Sequence, residues 1–255
     1  MKYRLLFLLV PYFAIFTPIT AGESNHYDAR FEQANGAYKI GAYDSAETIY
    51  NEILSSGLTS PDLLYNLGNT HYKLGNISSA ILYYERAHEL SPWDVDIQYN
   101  LATAKSQTAD KMQSVTPMFM TRWLNATASK TTSNMWSWLI ILFITLACVG
   151  FSFYFLTRSS TLKPIALISM MALLGLAILS SIFGYRSSIL EGVQEAIVFA
   201  PSVNVKSEPL PSSTVLFVVH EGLKVEVLQE EGSWVRVKFE DGNTGWLPSQ
   251  WLETI

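Results

Sequence analysis

Residues 135–156 read MWSWLIILFITLACVGFSFYFL and residues 164–185 read PIALISMMALLGLAILSSIFGY, and neither run contains a charged side chain. A transmembrane helix needs about 20 mostly apolar residues, so each run predicts one span. The residues between them, TRSSTLK, hold Arg158 and Lys163 and suffice for a tight return. The two spans therefore form a hairpin. The chain before it and the chain after it emerge on one side of the membrane.

With 255 residues, 49% of them hydrophobic, the chain is too apolar for one soluble domain and too polar for a many-span transporter. A membrane-anchored modular protein fits both limits. All 22 acidic residues lie within 23–110 or 191–253, and in each stretch they outnumber Lys and Arg. Phosphate binding needs clustered positive charge, so these modules do not suit a nucleic-acid partner, and they should repel anionic head groups. Cys148, the only cysteine, sits within the first run, which excludes an intrachain disulfide and a cysteine metal cluster.

At the N-terminus, Lys2 and Arg4 precede an apolar stretch over 5–16 and then TPITAG, with small residues around Ala21 and Gly22. These are the three parts of a secretory signal peptide over 1–22; an uncleaved signal anchor is the alternative. Export places residues 23–134 and the C-terminal module outside and the Arg158/Lys163 turn inside. The positive-inside rule agrees weakly, because Arg122, Lys130 and Arg186 flank the spans on the exported side.

Displacing the chain by 34 residues puts Ala34 on Gly68, Tyr38 on Tyr72, Gly41 on Gly75, Ala46 on Ala80 and Tyr50 on Tyr84; a further step puts Asn66 on Asn100 and Leu67 on Leu101. Each period reads as two short amphipathic helices, with small residues where the helices approach and large ones filling the space between. Gly75-Asn76 makes the turn, and Pro92 ends the second helix. The stretch LLYNLGNTHYKLGNISSAILYYERAHELSP, 63–92, resembles the tetratricopeptide repeat family at Leu64, Leu67, Gly68, Ala80, Tyr84, Ala87 and Pro92, with His71 where that family usually has an aromatic residue. The resemblance implies an all-α solenoid over 27–112, two repeats and a capping helix, whose concave groove holds segments of partner proteins. Repeats of this family that clamp a C-terminal carboxylate use two asparagines and three basic residues. Here Asn35 and Asn66 are present, but Phe31, Asp96 and Asn100 replace the basic residues. The candidate peptide-binding surface is neutral: Asn35, Tyr65, Asn66, Asn69, Tyr99 and Asn100, whose amides can pair with an extended backbone. The competing view is that these asparagines solvate a helix face.

Residues 113–134 link the repeats to the hairpin, with an apolar cluster of Met118, Phe119, Met120, Trp123 and Leu124 followed by a Ser/Thr-rich tether. The segment suits either the membrane surface or an extra helix beneath the repeats. After Arg186 the pattern changes to period two, at Val225/Val227 and at Val235/Val237/Phe239, and Asp241-Gly242 signals a tight hairpin. About five short strands in so few residues predict a small all-β barrel. Val205-Lys206-Ser207-Glu208-Pro209, the run LFVVHEG from Leu216, Trp234-Val235-Arg236-Val237 and DGNTGWL from Asp241 resemble the bacterial SH3-like domain, over 196–255. The proline-binding tyrosines of eukaryotic SH3 domains are not seen in the loop 207–212. Phe217, Trp246 and Trp251 are candidates for an aromatic ligand surface for peptide or glycan; the competing view, that Trp234 and Trp246 fill the barrel core, is favoured because a barrel this small has few other large residues to fill it.

The histidines, His26, His71, His88 and His220, are scattered, and neither a metal-ligand spacing, a phosphate loop nor a GxSxG elbow occurs. No catalytic residue, metal or cofactor is expected, and spans without charged groups do not suit transport. The expected fold is thus a multi-domain membrane protein. The order of its parts resembles the Bat aerotolerance family, which implies an inner-membrane assembly with von Willebrand A-domain membrane proteins and a MoxR-type ATPase, linked to envelope stress. Two functions follow as expectations: a non-enzymatic scaffold gathering proteins in the periplasm, or an envelope sensor or anchor whose SH3-like domain binds peptidoglycan or a peptide.

Overall fold

In a computed structural model, residues 21–110 and 118–255 are described, with side chains from residue 27 onward. The expected export signal, including Lys2, Arg4 and the apolar stretch 5–16, lies outside the described residues. The chain divides into two units: Met1–Asn76 with Tyr83–Leu101, and Ile77–Leu82 with Ala102–Ile255.

The first unit is built from α1 (Ala21–Lys39), α2 (Tyr43–Ser55), α3 (Pro61–Leu74), most of α4 (Ile77–Leu90) and the start of α5 (Val95–Ser106). Local sequence sets these limits. Ser60 caps α3, its hydroxyl accepting the Leu63 N–H at 3.1 Å, and Pro61 enters the first turn, where its missing N–H costs nothing. Gly75 leaves the helix at φ 82, a left-handed conformation that glycine adopts freely; Gly41, one period earlier, also has φ 82. Asp94 accepts the N–H groups of Asp96 and Ile97 at 2.9 and 3.1 Å and so starts α5. Between the helices lie Ala34, Ala46, Tyr50, Ile53, Leu63 and Leu67, continued by Leu64, Ala87 and Ile97. His71 fills its aromatic position as an aromatic: it is buried and stacks on Tyr83, centroids 5.1 Å apart.

In the second unit, α6 (Phe119–Ala128) precedes two long apolar helices, α7 (Ser133–Leu156) and α8 (Leu162–Glu191). Ile141, Phe155, Ile168, Met171 and Ile178 on these two helices are each more than half exposed. A core helix of a soluble protein buries such side chains, and a continuous apolar exterior of this length is stable in lipid. Small residues, Ala147, Ala177 and Ser180, are buried along the pair, and a Cβ on Gly184 would stand 3.0 Å from Cβ of Trp136. Close approach at small residues is how helices associate without a hydrophobic driving force. At the open end of the hairpin, the Glu191 carboxylate accepts the Ser133 N–H at 2.7 Å and its hydroxyl at 2.6 Å.

Gly192 and Val193 separate α8 from β1 (Gln194–Val198). The other strands are β2 (Val203–Lys206), β3 (Val215–Val219), β4 (Lys224–Glu231), β5 (Trp234–Lys238), β6 (Thr244–Pro248) and β7 (Leu252–Thr254). They form one antiparallel sheet in the order β3-β2-β6-β5-β4-β1-β7. Its strands curl around one core, in which Val198, Val205, Val219, Val225, Val237, Phe239 and Leu247 meet. The Asp241-Gly242 signal lies in the turn between β5 and β6, with Gly242 at φ 86.

Two glycines give opposite expectations. A Cβ on Gly68 would stand 2.6 Å from the Tyr84 ring, whereas one on Gly36, inside α1, meets nothing within 4 Å. Gly68→Val should therefore cost about 1–3 kcal/mol through overpacking, and Gly36→Ala should stabilise by about 0.5–1 kcal/mol. Denaturant unfolding of the two variants of the full chain checks both signs.

Candidate functional site

The groove candidates lie on α1, α3 and α5, and the structure joins most of them into a ladder. The Tyr50 hydroxyl donates to Oδ1 of Asn35 at 2.6 Å, and Nδ2 of Asn66 donates to that same oxygen at 3.0 Å. One period on, the Tyr84 hydroxyl donates to Oδ1 of Asn69 at 2.7 Å, and Nδ2 of Asn100 donates to it at 2.8 Å. Nδ2 of Asn100 also reaches the Tyr65 hydroxyl at 2.8 Å. Each rung thus ties a helix to its own partner and to the first helix of the next repeat. Tyr99, on α5, is 73% exposed.

The ladder's hubs, Tyr50 and Tyr84, are absent from the candidate list, although both recur at the displacement of 34 that revealed the repeat. Their rings are 1% exposed, so each hydroxyl must find a partner inside the fold, and an amide oxygen supplies it. Burial pushes the Tyr50 phenol up to about 12, and it raises the Tyr84 phenol also. A second feature without a sequence signal is an open cleft of about 710 Å³, lined by Tyr27, Asp28, Phe31, Ile53, Asp62 and Leu63. Its walls come from three separate elements, which explains why no local pattern marks it.

In the sheet module, Phe217 on β3 packs edge-on against Phe239, centroids 5.0 Å apart. Trp246 on β6 is 8% exposed, while Trp251, in a short 3-10 turn (Ser249–Trp251), is 38% exposed. Of the three aromatic candidates, Trp251 faces solvent most and Trp246 turns inward. Among the described residues no group of three or more His, Cys, Asp or Glu side chains is placed to hold a metal ion.

Residues 61–94 match the tetratricopeptide repeat family, and residues 201–253 match the bacterial SH3 domain. Both are binding and adaptor modules. The chain is also similar to the putative N-acetylmuramoyl-L-alanine amidase YrvJ of Bacillus subtilis strain 168, 33% identical over 75 residues. That alignment covers 29% of this chain and 14% of the amidase.

Tyr84→Phe removes one donor from the ladder while Asn69 keeps its bond from Asn100, so the expected loss is about 0.5–1.5 kcal/mol at neutral pH. The contribution is lost in alkali. A phenol whose folded pKa lies above its unfolded value of about 10 contributes fully below that pH, and the contribution is lost as pH rises through the folded value. Stability should fall between about pH 10 and 12, and the fall should be smaller in Tyr50→Phe/Tyr84→Phe than in the parent chain. Denaturant unfolding across that range checks the difference.

Proposed function

We propose that the chain is a non-enzymatic, membrane-anchored scaffold whose repeat groove and SH3-like domain bind partner proteins in the bacterial periplasm. The observation that carries this reading is the closed hairpin: Ser133, where α7 starts, and Glu191, where α8 ends, are hydrogen-bonded to each other. Two binding modules therefore leave the membrane at one point. The amide ladder supports the groove as the docking surface, because it engages Oδ1 of Asn35 and Asn69 and Nδ2 of Asn66 and Asn100. Oδ1 of the latter pair then suits the N–H groups of an extended peptide, beside the exposed Tyr99.

The order of modules resembles BatE of the aerotolerance operons. In that setting the membrane is the inner membrane, residues 1–22 serve export, and the partners are von Willebrand A-domain membrane proteins working with a MoxR-type ATPase under envelope stress. A second reading has its own support. Similarity to a protein whose name places its action on N-acetylmuramoyl-L-alanine favours an SH3-like domain that binds peptidoglycan, in a sensor or anchor. Against a long reach stands the junction of Gly192 and Val193, which spans at most about 7 Å.

A photo-crosslinking residue in place of Tyr99 in the full-length chain separates the two. The scaffold reading expects discrete protein adducts in intact cells and no sedimentation of the nanodisc-embedded chain with purified peptidoglycan. Sedimentation with peptidoglycan and an absence of adducts would replace it with the sensor reading.

A further inference from the structure

The helix α6 carries an apolar face that no described protein group covers. Met118, Phe119, Met120 and Trp123 are 83%, 73%, 64% and 48% exposed. Water is a poor neighbour for four adjacent large apolar side chains, and the helix is not free to turn them away. Nε of Arg186 donates to Oδ1 of Asn125 at 2.7 Å, and the Ser187 hydroxyl donates to the Thr131 carbonyl at 3.0 Å. Trp123 meets Phe183 edge-on, centroids 5.6 Å apart, and Trp136 stacks on the same ring at 5.1 Å. These contacts fix α6 to the last turns of α8, whose Phe183 also packs on the first turn of α7.

The level at which it is fixed can be read along α7. Trp138 and Tyr154 lie 16 residues apart in that helix, about 24 Å at ~1.5 Å per residue, within the ~30 Å of a bilayer's hydrocarbon core. Aromatic rings with one polar edge gather at the two membrane–water boundaries. The exposed Trp138 on α7 and the 73% exposed Tyr185 on α8 mark one boundary; Tyr154, with the Lys163 ammonium over its ring at 5.7 Å, marks the other. Trp123 therefore sits at the first boundary, and the exposed apolar face of α6 continues the apolar exterior of the spans. The exposed Arg122 and Lys130 are placed to meet phosphate groups from the same level.

We infer that α6 is an interfacial helix whose Met118, Phe119, Met120 and Trp123 face is buried among the lipid head groups and upper acyl chains of the bilayer. It holds the hairpin at a set depth and keeps the segment before α7 flat on the membrane. The inference rests on the reading of α7 and α8 as spans.

The test is spin labelling of the full chain in phospholipid bilayers, in a Cys148→Ser background. Single cysteines replace Phe119, Met120, Thr121 and, as a reference within the span, Ile168. The expected result is severalfold higher collision with oxygen than with a water-soluble nickel complex at 119 and 120, the reverse at 121, and the strongest oxygen preference at 168. Because 119 and 120 are exposed, either label suffices if the other impairs folding. A lipid-type signal at 168 with nickel-accessible labels at 119 and 120 overturns the inference. So does spin–spin broadening at 119 and 120, which would mean that a second copy covers the face. A water-type signal at 168 overturns the span reading itself, and the inference with it.

Discussion

The bond between Glu191 and Ser133 sits where two opposing demands meet. Below it, α7 and α8 present apolar side chains outward and must satisfy every backbone polar group internally, which helices do. Above it, on the reading of α7 and α8 as spans, the chain returns to water at both ends at once. A carboxylate on the first N–H and hydroxyl of α7 meets both needs: it closes the hairpin and places negative charge at the positive end of the α7 dipole. Helix α8 continues past the apolar run at Tyr185 to bring Glu191 to this position, and β1 starts after a further two residues. The sheet module is therefore attached directly to the end of the hairpin that Glu191 and Ser133 tie together.

The repeat unit solves a different problem, that of holding short helices in register without much surface to bury. Alanines and Gly68 permit close approach, and Tyr50 and Tyr84 fill the remaining space with their hydroxyls turned toward asparagine amides. On the proposed reading, Asn66 and Asn100, which give the ladder their Nδ2 groups, offer a partner their Oδ1 atoms. A surface held by its own internal bonds loses little freedom when a peptide binds, which favours affinity from few contacts.

Much of this fold is legible in the sequence because its signals are periodic. The uncharged runs mark α7 and α8, the displacement of 34 marks the repeats, and Asp241-Gly242 marks a turn that the structure contains. What escaped depends on contacts between distant positions. The segment YRSSILE after the second apolar run has no helical stripe, yet it is helical because Arg186, Ser187 and Glu191 find partners in residues 125–133. The 118–128 segment fits two placements by periodicity, and its contacts with Phe183 and Arg186 join positions some 60 residues apart, which periodicity does not reveal. At the candidate site, the family resemblance pointed to the asparagines but not to the tyrosines that bind them, since a shared position shows which residues are equivalent and not which atoms pair. Trp246 had two readings open because alternation does not say which face of a strand turns inward when both neighbours are apolar.

The central claim is that one closed hairpin delivers both binding modules to the same side of a membrane. Cysteines in place of Ser106 after the repeats, Ser160 in the turn and Ser233 in the sheet module, each alone in a Cys148→Ser chain, test it in sealed cells with a membrane-impermeant thiol reagent. The account predicts labelling at 106 and 233 and protection at 160 until the membrane is opened. Labelling of 106 and 233 from opposite sides would contradict it.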